Sequence, residues 1–203
     1  RLASAAGNEP IRVGAVLPMR TGLSPIGDAT SYQAVADAAF RGVTMGGEEY
    51  SANAAMLGMD LKVLVATAPS PEAAQRAAAR MVSRDGVFAL IGGFGTEDTL
   101  AVGELAEQRK VPFFNIAASS DSLRGSRCNR YMFHVEASAA MYLDAMAAWY
   151  IRSGFRRYFF VRDDSDEQQA RYEHMLRSLD QRHFGGREVG SATVQAHRPL
   201  YVD

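Results

Sequence analysis

Gly92-Gly93-Phe94-Gly95, followed at once by Thr96, is the first stretch of this chain that could do chemistry. Such a run of glycines invites a dinucleotide reading. That fingerprint requires G-x-G-x-x-G after the first strand and an acid about 20 residues further on. Here the first apolar run is followed by Pro18-Met19-Arg20-Thr21, and no G-x-x-x-x-G-K-[ST] occurs anywhere. The glycines are accounted for by a tight turn that lets a helix pack close to a sheet. Ser119 and Ser120 carry potential nucleophiles, but no G-x-S-x-G elbow surrounds them. His134 falls in a predicted strand and reads as a structural histidine rather than a base. His174, His183 and His197 lie among charged residues and are expected to be solvated.

Asp163-Asp164-Ser165-Asp166-Glu167 is acidic but lacks the glycine of a calcium loop. It reads as a polar strand end leading into a helix, whose positive end favours acids. Cys128 is the single cysteine, which excludes an internal disulfide and any multi-cysteine metal site. Nothing here calls for catalysis, a metal or a cofactor. What remains is a pattern suited to binding. Thr96 and Ser119 are hydroxyls just past predicted strands, each close to a turn or a helix start. Free N–H groups and hydroxyls there can hold an anion such as a carboxylate. Ala117 and Ala118 leave room for a ligand to approach the backbone. The same residues would serve as ordinary helix caps, and their spacing leaves both readings open.

The elements that must position these residues alternate between strand and helix. Ile11 to Leu17 is a buried strand ended by Pro18, and a loop from Met19 to Asp28 follows, broken by Gly22, Pro25 and Gly27. Tyr32, Val35, Ala36, Ala39, Phe40 and Val43 recur at helical spacing, and Gly46-Gly47 is expected to stop that helix. Glu48 to Gly58 reads as a loop or a short helix. Met59 to Val65 is a strand. Ser70 caps a helix with Pro71 at its first position and Ala74, Ala77, Ala78, Met81 and Val82 inward. Val87 to Ile91 is a strand, Glu97 to Lys110 a helix and Pro112 to Asn115 a strand. Ala117 to Ser122 is a loop of small and hydroxyl residues.

Met132 to Val135 is a short strand. Ala139 to Ser153 is a helix with Tyr142, Ala145, Met146 and Trp149 on one face. Tyr158 to Val161 is a strand, Asp166 to Phe184 a helix with Tyr172, Met175, Leu176 and Leu179 inward, and Glu188 to Val194 the last strand. This alternation predicts an α/β fold with mostly parallel sheets flanked by helices. Ligands of such sheets bind at the carboxyl ends of strands, where chain directions diverge. The loops following strands are therefore the ones that matter.

Composition narrows the function classes. The chain has 203 residues, 47% hydrophobic and 22% charged, an ordinary globular balance. At about 150 residues per domain, that is one large domain or one domain and part of a second. Lys and Arg number 22 against 23 Asp and Glu, so sequence-independent nucleic-acid binding has no electrostatic basis. No apolar stretch reaches the roughly 18 residues of a membrane span, so no direct membrane insertion is expected. Residues 1–10 read as an unstructured tail, of the kind left by signal-peptide removal or by an expression scar.

The order of these elements matches a known family. Ile11-Arg12-Val13-Gly14-Ala15-Val16-Leu17-Pro18 followed by Thr21-Gly22 and Gly27 resembles the opening of type I periplasmic binding proteins, in the branched-chain amino-acid-binding (leucine/isoleucine/valine) group. Ser70-Pro71-Glu72-Ala73 resembles that family's second helix, and Val87 to Gly93 its third strand and turn. Lys110 to Ser120 resembles its fourth strand and ligand loop, and Cys128 to Phe133 the crossing to its second lobe. The resemblance runs from about Ile11 to Asp164. It implies a two-lobed protein that closes by a hinge on an amino acid or a related small carboxylate or amide. It also implies a periplasmic location and an ABC transporter permease as partner. By that match Thr96, with Gly95 beside it, holds the ligand's carboxylate through hydroxyl and amide; Ala117 supplies a carbonyl, Ser119 a hydroxyl, and Ala118 lies in the same loop.

The first lobe is expected over 11–134 and a partial second lobe over 135–203, since family members are considerably longer. The sequence also departs from the family pattern. Ala66-Thr67-Ala68 replaces the usual Asp after the second strand. Ser138-Ala139-Ala140-Met141-Tyr142 replaces an acidic, glutamine-rich helix start, and Asp166-Glu167-Gln168 an aromatic-and-glycine motif. A less polar site would suit an aromatic or otherwise apolar acid. The sequence does not separate this role from that of a sensory domain of the same fold signalling to a partner; a small-molecule hydrolase using Ser119 or Ser120 fits less well.

Overall fold

A strand with apolar residues on both faces must be covered on both sides, and the apolar run near the start of the chain sets the centre of the fold accordingly. In the computed structural model, which describes residues 9–18, 29–182 and 185–195, this run is strand β1, Ile11–Pro18, with Gly14 to Pro18 buried. The expected loop from Met19 to Asp28, with Thr21, Gly22, Pro25 and Gly27, lies outside the described residues, as do residues 1–8, His183 and His197. The chain continues through α1 (Ala29–Met56), β2 (Leu61–Ala68), α2 (Pro71–Ser83), β3 (Ala89–Gly92), α3 (Thr96–Arg109), β4 (Phe113–Asn115) and β5 (Met132–His134). A second group follows: α4 (Ala139–Arg152), β6 (Arg157–Asp163), α5 (Asp166–Arg177) and β7 (Arg187–Val194). No described helix is long and apolar enough to cross a membrane.

Two compact units result. The first comprises residues 1–118 and 125–136, the second 119–124 and 137–203. In the first, five strands pair in the order β2-β1-β3-β4-β5, every pair parallel. The order reverses direction at β1, so the gap between the ends of β1 and β3 is the switch point where open α/β sheets bind ligands. Helix α2 forms as its sequence requires. The Ser70 hydroxyl accepts the Ala73 N–H, Pro71 takes a position that needs no donor, and Ala74, Ala77, Ala78 and Met81 are buried.

Helix α1 corrects the expectation that Gly46-Gly47 would end it. Neither glycine takes the left-handed conformation that terminates helices; Gly58, at φ +71°, follows the real end. Gly47 instead permits close packing, because a Cβ there would stand 3.2 Å from Val63 Cγ2 on β2. Glu48 to Met56, expected as a loop or a short helix, is the last part of this long helix.

In the second unit β6 and β7 pair in parallel, with a bulge at Tyr158/Phe159. Ala147, Ile151, Met175 and Leu179 form its core, with Leu143, Tyr150, Tyr158 and Phe160 packed on them. The face of α4 that carries Tyr142, Ala145, Met146 and Trp149 is not the one that packs on this core. Tyr142 and Trp149 are 50% and 58% exposed, and Ala145 and Met146 are also outward. The helix carries apolar residues nearly all round, and the small Ala147 marks the side that approaches α5 and β6. Helix α5 also ends earlier than expected, giving way to a π turn over Ser178–Arg182. Asp144 joins these pieces. It accepts hydrogen bonds from His174 Nε2 at 3.0 Å and Ser178 Oγ at 2.7 Å, and pairs with Arg182. His174, expected to be solvated, is thus tied into a cluster. Burial works to raise the Asp144 carboxyl, but its Ser178 and His174 hydrogen bonds and the His174 and Arg182 charges outweigh it. The carboxyl is held below its ordinary value.

Candidate functional site

The turn after β3 is built around two glycines that no other residue could replace without displacement. A Cβ on Gly92 would stand 2.6 Å from the Val16 carbonyl oxygen. Gly93 has φ +86°, and a Cβ there would stand 2.8 Å from both Asn115 Oδ1 and Thr99 Oγ1. The tight-turn reading of this run therefore holds in detail. Gly95 is the N-cap of α3 and Thr96 its first residue, at the switch point of the sheet. Thr99, fully buried one turn on, donates its hydroxyl to the Gly95 carbonyl at 2.6 Å.

The helix start already holds one carboxylate, its own. Asp98 accepts the Phe94 N–H at 3.1 Å and the Gly95 N–H at 2.7 Å. Burial pushes its carboxyl above the ordinary range, against the pull of hydrogen bonds from the backbone of Phe94, Gly95, Asp98 and Thr99. The Gly95 amide is thereby committed. The first-turn amides of Thr96 and Glu97 have no acceptor within the helix, and the Thr96 hydroxyl has no hydrogen-bond partner among the described residues.

The loop after β4 is organised by one side chain that the sequence reading passed over. Asn115 is fully buried. Its Oδ1 accepts the N–H groups of Ala118 at 2.9 Å and Ala117 at 3.3 Å. Its Nδ2 donates to the Ala118 carbonyl at 2.7 Å and faces His134 Nδ1 at 2.9 Å. The Ala118 N–H also reaches the Gly93 carbonyl at 2.8 Å, joining the two loops directly. Ala118 is buried with both backbone groups engaged. Ala117 is half-buried, with its carbonyl unpaired among the described residues. The first unit thus brings together Gly95, Thr96, Ala117 and Ala118 on two cross-linked loops. Ser119 belongs to the second unit, where its carbonyl accepts the Ala139 N–H at 2.7 Å.

The other candidates for chemistry resolve differently. Ser120 pairs with the Ser122 hydroxyl at 3.0 Å rather than with an imidazole. In the Asp144 cluster both Ser178 and His174 bond to the acid, so no serine–histidine nucleophile pair forms. Ser165 caps α5 and bonds Asp163, so the acidic run is the strand end and helix start that its sequence suggested. Cys128 is exposed. Among the described residues no group of three or more His, Cys, Asp or Glu could hold a metal ion.

With this geometry in place, the comparisons define the class. Residues 10–198 match the model of the periplasmic binding protein family, and the chain belongs to that family. Its fold is the type I form, shared with solved ABC transporter substrate-binding proteins. One from Sphaerobacter thermophilus superposes with TM-score 0.75 at 20% identity, over 94% of this chain and 49% of its own. The substrate-binding protein LivJ from Streptococcus pneumoniae, in complex with isoleucine, gives 0.71 at 18% identity over 94% and 51%. A solute-binding protein from R. palustris, in complex with benzoate, gives 0.69 at 16% identity over 94% and 49%. The chain therefore spans about half the length of these structures. No curated protein matches it by sequence.

Proposed function

We propose that this chain is a substrate-binding protein of an ABC uptake system, acting outside the cytoplasm without catalysis. Its ligand is a small organic carboxylate, either an amino acid or an aromatic acid. The carrying observation is the Thr96 hydroxyl and helix-start amide, without a partner among the described residues at the switch point of a parallel sheet, on a turn bonded to the loop that carries the Ala117 carbonyl. Family membership supports the role, and the relatives holding isoleucine and benzoate support the ligand class. In this reading Thr96 binds the carboxylate, and the Ala117 carbonyl accepts from an ammonium or hydroxyl. Ser119 contributes a further hydroxyl, and Gly95 and Ala118 shape the backbone around the ligand. The permease of the importer is the protein partner.

Calorimetric titration with L-isoleucine and with benzoate tests this. Binding of one of them, weakened about ten- to a hundredfold by Thr96→Ala, is the expected result, since a hydroxyl bonded to a carboxylate is removed. Absence of binding by both, or indifference to Thr96→Ala, would refute it.

A further inference from the structure

Two loops carry the proposed ligand atoms, and a single amide lies beneath both. We infer that Asn115 is the positioning residue of the site, setting the Ala117 carbonyl against Thr96, and that its amide in turn fixes the tautomer of His134. The inference rests on the reading that Thr96 and Ala117 meet the ligand. Asn115, Gly92 and His134 occupy one row across β3, β4 and β5. From that row the amide oxygen takes the Ala117 and Ala118 N–H groups while the amide nitrogen holds the Ala118 carbonyl. The loop is thereby pinned by both kinds of backbone group within two residues. On the other side, the same oxygen stands 2.8 Å from where a Gly93 Cβ would be, so the turn leading to Thr96 leaves no room for a side chain against it.

The amide's orientation follows from chemistry. An oxygen facing two N–H donors and a nitrogen facing a carbonyl admit one assignment only. With that assignment, Asn115 Nδ2 can only donate to His134 Nδ1, so the imidazole proton sits on Nε2. A flipped amide would lose its three backbone contacts at once. Asn115 touches no ligand itself. It acts by holding Ala117 and the Gly93 turn at a fixed spacing, and buried partners of this kind set the precision of a binding site.

The test measures isoleucine and benzoate binding to the full chain in wild type, Asn115→Asp, Asn115→Ser and Thr96→Ala. Amide exchange at Ala117 and Ala118 and ¹⁵N shifts of the His134 ring are followed alongside. Asn115→Asp preserves shape and keeps the two acceptor bonds, but sets a carboxylate oxygen against the Ala118 carbonyl. It should weaken the bound probe roughly tenfold or more, retain protection of the two amides, and bring a proton to His134 Nδ1. Asn115→Ser should lose the protection as well. Combined with Thr96→Ala it should cost less than the product of the single effects, because the loop that Thr96 works with has already moved. If Asn115→Ser does not fold, the Asn115→Asp affinity and its ring signature decide the matter. Unchanged affinity in the Asn115 variants, with Thr96→Ala still weakening the probe, overturns the positioning role and leaves the ligand reading standing. Indifference to Thr96→Ala overturns the ligand reading, and the role of Asn115 with it.

Discussion

Replacing Gly93 by alanine perturbs the candidate site at its tightest point, and the structure supplies the magnitude. At φ +86° an L-residue pays for a left-handed backbone, roughly 1–2 kcal/mol. The new methyl would stand 2.8 Å from Asn115 Oδ1 and 2.8 Å from Thr99 Oγ1, both in fully buried side chains. Neither atom can swing away as the end of a flexible chain would. Moving Asn115 breaks its hold on Ala117 and Ala118, and moving Thr99 breaks its bond to the Gly95 carbonyl. Overpacking of this kind costs about 1–3 kcal/mol, so the sum is about 2–5 kcal/mol. Urea unfolding followed by circular dichroism reads it as a lowered midpoint at unchanged slope. Gly46→Ala is the matched control. Gly46 lies within α1 at ordinary φ, and nothing stands within 4 Å of an added methyl. It should stabilise by up to about 1 kcal/mol through helix propensity. Gly93→Ala within about 0.5 kcal/mol of wild type would refute the geometry argued for both loops.

Two carboxylates should give stability opposite pH dependence. Asp98 is held above its ordinary value of 3.8, mainly by burial, so the stability tied to its proton is present below that value. That stability is lost as pH rises through the folded-state value, and Asp98→Asn should flatten this fall in a series of unfolding curves. Asp144 is held below 3.8, so its contribution is present above that value and lost as pH falls through the folded-state one. Asp144→Ala should cost about 1–3 kcal/mol at pH 7, because it leaves the buried Ser178 hydroxyl without its acceptor. The deficit should shrink in acid, and a pH-independent deficit would contradict the pairing. Ser70→Ala removes the cap of α2 and should cost about 1 kcal/mol by the same unfolding assay; no change would show that the Ala73 bond adds nothing.

Elements announced by sharp local chemistry were legible in the sequence, and elements chosen by packing were not. Ser70-Pro71 marks a helix start because one residue supplies an acceptor and the next needs no donor, and α2 begins there. The strand–turn–helix around Gly92 and Gly95 was equally plain. Gly46-Gly47 misled because glycine ends a helix only when its backbone turns left-handed, and here α1 packs against β2 at Gly47 instead. The inward face of α4 was unreadable by period alone. Tyr142, Met146 and Trp149 make as good a stripe as Leu143, Ala147, Tyr150 and Ile151, and only β6 and α5 choose between them. His174 looked solvated because its partner Asp144 lies 30 residues away.

Asn115 escaped for a related reason, and the reason bears on how this fold changes ligands. A lone asparagine at a strand end has no spacing signature; its value comes from three strands placing Gly92, Asn115 and His134 in one row. The groups that fix the loops, namely Asn115, Thr99 and Asp98, all bond the backbone, and Asn115 adds one bond to the His134 ring. The atoms proposed to meet a ligand, the Thr96 hydroxyl and the Ala117 carbonyl, stand on that support without contributing to it. Substituting a contact residue therefore costs the scaffold little, whereas substituting a supporting one alters every contact together. Selectivity in such a site should respond to changes at Thr96 and around Ala117 one contact at a time. Changes at Asn115 should instead weaken isoleucine and benzoate alike, by a common factor. A variant of Asn115 that reversed the preference between the two probes would show that the amide meets the ligand directly.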